Sequence, residues 1–105
     1  MVQLKPLKID HELVMGIEVA LPKTNLLIFT TDTGYIMCGA LDIDLLNERL
    51  DDREIIAARA VGVKTLDDLL ESPLESVTHS AEHLGIQAGM TGRQALQRMI
   101  QSATA

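Results

Sequence analysis

The chain predicts an α+β fold: an N-terminal antiparallel β-sheet, one β-α-β crossover, then three short C-terminal helices. Three observations carry this prediction. The first forty residues hold apolar, strand-length runs separated by turn residues. The run from Gly34 to Leu70 reads strand, helix, strand, helix. The last third carries helix-start signals. All 105 residues form one domain, with residues 1–40 as a β-rich oligomerisation region and 41–105 as an α/β and helical part.

Val2 to Ile9 reads as a first strand, and Pro6 either assigns it to a sheet edge or interrupts it. From Leu13 to Leu21 every odd position is apolar (Leu13, Met15, Ile17, Val19, Leu21). The even positions are mixed, so the odd face is expected to be the buried one. Pro22 to Asn25 is a turn, and Asn25 to Thr31 a strand apolar on both faces. Thr31 to Gly34 turns into Tyr35 to Ala40, again apolar on both faces. Such strands are too apolar for a solvated antiparallel sheet, so helices cover one face and a second subunit the rest.

Asp42 caps a helix to about Asp51 with Ile43, Leu46 and Leu50 on one stripe. Glu54 to Val61 is the next strand, parallel to the one before the helix. Thr65 opens a short helix. Ser72-Pro73-Leu74-Glu75 reads as a capping box whose helix runs to about Leu84 and stops at Gly85. Thr91-Gly92-Arg93-Gln94 is another, placing Ala95, Leu96, Met99 and Ile100 inward.

Composition narrows the function. Apolar residues make up 47% and aromatics 2%, so the core is aliphatic and gains from a partner subunit. Nine basic against fifteen acidic side chains give a net charge of −6, which with the scarcity of aromatics argues against a nucleic-acid partner. One cysteine, no secretory pattern and no long apolar run point to a cytoplasmic protein without a membrane span.

Several motifs bear on chemistry. His79-Ser80-Ala81-Glu82-His83 matches the inverted zinc-peptidase motif, but too little chain follows to supply a third ligand, and both histidines fall on a solvated face. No metal or cofactor is expected, and adventitious zinc or nickel would be the most this pair holds. Asp32-Thr33-Gly34 matches the triplet of dimeric aspartic proteases, yet those folds are almost wholly β; a hairpin loop with Gly34 left-handed is the plainer reading. Asp42, Asp44, Asp51 and Asp52 read as ordinary helix-start acids.

The remaining candidates cluster at the strand exits. Cys38 is either a small core residue or a nucleophile activated by the coming helix start, by Arg59 or by His11 brought near in space. Gly39 allows close approach of a ligand. Gly62-Val63-Lys64-Thr65 joins a glycine corner, a lysine and a helix start, the components of an anion site. Together Gly39, Asp42, Arg59, Gly62, Lys64 and Thr65 are the predicted ligand-binding residues for a small anionic metabolite. A cysteine-dependent enzyme using Cys38, or a purely structural assembly protein, is the alternative.

GYIMCGALD, IIAARAVGVKTLDDLLESPLESVT and LGIQAGMTGRQALQRM, in that order, resemble the YunC-like family of bacterial and archaeal proteins. The resemblance spans about Leu13 to Met99. It implies a domain of unknown function whose N-terminal β-region mediates tetramerisation, and it assigns no catalytic residue. A homodimer or homotetramer joined through strands between Leu13 and Thr31 is therefore expected.

Overall fold

A computed structural model describes residues 1–39 and 42–104. It holds one six-stranded sheet in the order β1-β2-β3-β4-β5-β6. The strands are β1 (Val2–Ile9), β2 (Glu12–Leu21), β3 (Thr24–Thr30), β4 (Tyr35–Met37), β5 (Ala57–Arg59) and β6 (Ser76–Val77). β1 to β4 form an antiparallel meander, β5 runs parallel to β4, and β6 runs antiparallel to β5. Helix α1 (Ile43–Glu48) and a 3-10 turn (Asp51–Arg53) make the β4–β5 crossover. The helices α2 (Leu66–Glu71), α3 (His79–His83) and α4 (Gly92–Thr104) follow. The α+β class, the edge position of β1, the parallel crossover and the three later helices agree with the sequence reading. Ala40, the expected end of a strand, and Leu41 lie outside the described residues, as does the side chain of Asp51.

The buried face of β2 differs from expectation. Val14 and Gly16 are buried, whereas Leu13 is 61% and Leu21 47% exposed. The reason is Gly16: a Cβ there would lie 2.8 Å from the Phe29 ring and 3.2 Å from Leu66 on α2. The missing side chain lets helix and aromatic ring close on the even face. Leu27, Phe29, Ile36 and Ala58 continue that face, and Leu69, Leu96 and Met99 from α2 and α4 complete the core. The inward set predicted for the last helix, Ala95, Leu96, Met99 and Ile100, is buried.

The second correction concerns residues 72–84. No continuous helix forms there. Pro73 bridges to Thr91, Ser76–Val77 joins the sheet as β6, and the helix begins only at His79. Thr78 decides this. Its Oγ1 accepts from the Ala81 N–H (3.3 Å) as helix cap, accepts from the Ala57 N–H (3.2 Å), and donates to the Ile55 carbonyl (2.7 Å). A continuous helix would forfeit these three bonds, two of them buried. Gly85, at φ +84°, does end the helix, and the Ile86 N–H reaches back to the Ala81 carbonyl.

A third correction is smaller. The Thr31–Gly34 loop is a hairpin connection, but Gly34 is not left-handed; its positive-φ counterparts are Gly62, Gly85 and Gly89. Gly34 is needed because a Cβ would collide with the Ile56 carbonyl, which accepts from the Tyr35 N–H at 3.1 Å.

Candidate functional site

The end of the sheet where β2 turns into β3 carries two adjoining clefts. The β2–β3 turn is two residues, with Pro22 first and Lys23 second at φ +66°. Proline in the first position and positive φ in the second suit a type II turn. It sets Lys23 at the tip, facing the segment that links β5 to α2. One cleft, of about 520 Å³, is lined by Leu21, Lys23, Thr24, Asn25, Val63 and Lys64. The other, of about 310 Å³, shares Leu21, Thr24, Asn25 and Val63 and adds Leu26, Cys38 and Gly39. Volumes of this order suit small ligands.

Four of the predicted residues meet here. Lys64 lines the larger cleft and Cys38 and Gly39 the smaller, while Arg59 lines neither and reaches the edge only through its contact with Gly39. Arg59 lies on β5 opposite Met37, half-buried, with a guanidinium nitrogen 3.9 Å from where a Cβ on Gly39 would sit. Its Nε is buried and has no hydrogen-bond partner among the described residues. A buried donor without an acceptor is uncommon and unfavourable. Gly39 and the guanidinium thus lie in contact on the outer face of the sheet.

The other three serve the backbone. Asp42 caps α1 by accepting from the Leu45 N–H at 3.0 Å, and lines neither cleft. Gly62, at φ +74°, turns the chain after β5. Thr65 caps α2 through the Asp68 N–H (3.0 Å), while the Asp68 carboxylate takes the Lys64 N–H (3.1 Å). At that helix start the Lys64 amide is thus taken by a carboxylate and the Asp68 amide by a hydroxyl. Lys64 contributes its ammonium instead.

Cys38 is 7% exposed, with Sγ 4.0 Å from the Asn25 carbonyl oxygen. Its N–H bonds the Leu27 carbonyl at 3.1 Å, prolonging the β3–β4 pairing. His11 sits at the β1–β2 turn, beside the Thr30 end of β3, whereas Cys38 adjoins the Asn25 end. The sheet's length separates them, so the histidine partner considered from sequence is absent at this thiol.

Away from this edge, His79 and His83 share a shallow cleft with Glu54, Ile56 and Ser80. Both histidines are exposed, as the sequence implied, and the His79 N–H is held by Asn47 Oδ1 at 2.9 Å. No group of three or more metal-ligating side chains occurs among the described residues. The Asp-Thr-Gly triplet is organised by Thr31, whose Oγ1 accepts from the Thr33 and Gly34 amides at 3.2 and 3.0 Å. Lys23, Thr24, Asn25 and Val63 were not legible as site residues. The one available signal was Pro22 marking a tight turn.

A family model described as a domain of unknown function, DUF1805, matches residues 37–99. The chain belongs to the DUF1805 family. The matched segment holds Cys38, Gly39, Arg59 and Lys64, while Lys23 on the β2–β3 turn precedes it. The uncharacterized protein YunC of Bacillus subtilis (strain 168) is 56% identical over 100 residues, covering 95% of this chain and 99% of that protein. This supports the YunC-like resemblance. A crystal structure of a protein of unknown function from Thermoplasma acidophilum superposes with a TM-score of 0.84 at 29% identity, covering 94% of this chain and 93% of that one. The fold is thus shared with the Thermoplasma acidophilum protein. Among the described residues, no helix is long and apolar enough to cross a membrane.

Proposed function

We propose that this protein binds a small anionic metabolite in the joined clefts between the β2–β3 turn and the Gly62–Thr65 segment. The observation that carries this reading is Arg59, whose buried Nε has no partner among the described residues and whose Nη2 lies by Gly39, with Lys23 and Lys64 on the neighbouring rim. An anion oxygen supplies the acceptor the guanidinium lacks, and two ammonium groups offset the remaining charge. In a chain of net charge −6, such a gathering of cations is a local exception. Asp42, Gly62 and Thr65 shape the loops around the site.

Calorimetric titration with inorganic phosphate, pyrophosphate and AMP tests the reading. Pyrophosphate is expected to bind. Arg59→Met and Lys64→Ala are each expected to weaken it roughly 10- to 100-fold, the equivalent of a charge-assisted hydrogen bond worth about 1.5–3 kcal/mol. Absence of binding by all three probes would overturn the reading, and an unchanged affinity in either variant would remove that residue from the site.

The protein acts as a cytoplasmic homodimer or homotetramer in this reading. Exposed Val2, Leu4, Leu13 and Leu21 on the meander support self-association, and the single cysteine supports a reducing compartment. A monomeric mass in light scattering at micromolar concentration would sink the oligomer. A thiol enzyme has one point in its favour, the place of Cys38 on the same cleft as the Arg59 approach. Burial and a carbonyl partner favour a packing role instead. Iodoacetamide is expected to label the native thiol at least tenfold more slowly than the urea-unfolded chain; comparable rates would restore the enzyme.

A further inference from the structure

One face of the meander is largely apolar across four strands, with Lys8, opposite Leu13, its one charged side chain. The register places Leu4 beside Ile17, Ile17 beside Ile28, and Ile28 beside Met37. A parallel row runs Val2, Val19, Leu26. Paired residues share a face, so these rows form one patch with Leu13, Met15 and Leu21. Val2, Leu4 and Leu13 are each 61% exposed. Aspartate and glutamate are missing from this face of β1 to β4: Glu12 and Glu18 project from the opposite side of β2, the side of Val14. A second copy of this chain is the occupant that fits, because two such faces meet without bringing carboxylates together.

Leu21 belongs to both features. It ends the apolar face at 47% exposure and lines both clefts. We propose that a second copy seated on this face covers Leu21 and walls the cleft, so that the anion site reaches full affinity only in the assembled protein. This rests on the anion-binding reading above. Covering the open apolar side excludes water there and strengthens the attraction between the anion and the cations Lys23, Lys64 and Arg59. Linkage is reciprocal, so the anion tightens assembly by the same factor.

The test uses Leu13→Asp, which lies at the opposite end of β2 from Leu21 and alters no cleft residue, and Leu4→Lys on the exposed edge strand as a second variant. Circular dichroism checks that each is folded. Pyrophosphate is titrated into the wild type and both variants, and self-association of the wild type is followed by sedimentation with and without pyrophosphate. The expected result is a monomeric variant that binds pyrophosphate at least tenfold more weakly, together with wild-type association tightened by a similar factor. Equal affinity in a folded monomeric variant overturns the coupling and leaves the anion site standing. A wild type that is monomeric also overturns the coupling. A wild type that assembles but binds no pyrophosphate removes the anion site and the coupling with it.

Discussion

Single residues here do their work through space or backbone shape as often as through chemistry. Gly92 opens α4 where a Cβ would run into the Leu69 carbonyl and lie 2.8 Å from Ile36. Gly92→Ala is therefore expected to cost about 3 kcal/mol, since neither backbone nor packed core can move aside cheaply. His11 presents the reverse case. Asp10 and His11 form the two-residue β1–β2 turn with φ of 51° and 70°, the left-handed pair that suits Asn-Gly or Asp-Gly. His11→Gly is expected to gain about 0.5–1 kcal/mol. Urea unfolding followed by circular dichroism checks both, and a neutral Gly92→Ala would mean that α4 shifts on the sheet. Cys38, Arg59 and Lys64 were visible in the sequence as a cysteine in an apolar strand and two cations near glycines. Their meeting at one edge was not, because it depends on where the β2–β3 turn ends.

Capping grammar predicted the helices unevenly. The Thr91 box is complete: Thr91 Oγ1 accepts from the Gln94 N–H at 3.2 Å, and Gln94 Oε1 accepts from the Thr91 N–H at 3.0 Å. Asp42 and Thr65 also cap as read. Ser72-Pro73-Leu74-Glu75 has the same pattern and starts no helix (Ser72 instead ends α2), because Ser76, Val77 and Thr78 do more for the structure at the sheet edge. The Glu75 N–H bonds the Arg59 carbonyl at 2.7 Å and the Thr78 N–H bonds the Ala57 carbonyl at 3.0 Å, closing β5 on its outer side. Thr78, 2% exposed, is the one buried polar side chain among the described residues. Thr78→Val keeps the shape and leaves two N–H groups and a carbonyl unpaired, so a loss of about 2–4 kcal/mol is expected by urea unfolding. A loss below about 1 kcal/mol would show that water replaces the hydroxyl.

The whole molecule has a continuous core. The same cluster contains Ile9 and Val14 from the N-terminal hairpin and Leu96 and Ile100 from the last helix. The β-rich and helical parts are expected to melt together. Far-ultraviolet dichroism and the fluorescence of Tyr35, the single tyrosine, should give one coincident transition. Its midpoint should rise with protein concentration if the meander face holds a second copy. Two separated transitions would show that residues 1–40 fold independently of the remainder.

Local patterning sufficed for the α+β class, the strand order through β5, three of the four helix starts and the excess of apolar strand surface. Period-two alternation, turn residues and caps act between near neighbours in the chain, and so they are written in it. Which face of β2 is buried, the entry of Ser76–Val77 into the sheet and the placing of Lys64 on one cleft and of Cys38 and Gly39 on the adjoining one depend on packing between distant segments. Gly16 illustrates the difference. It carries no apolar side chain, so alternation assigns its face to solvent, yet its emptiness is what admits Phe29 and Leu66 and turns the apolar odd face outward.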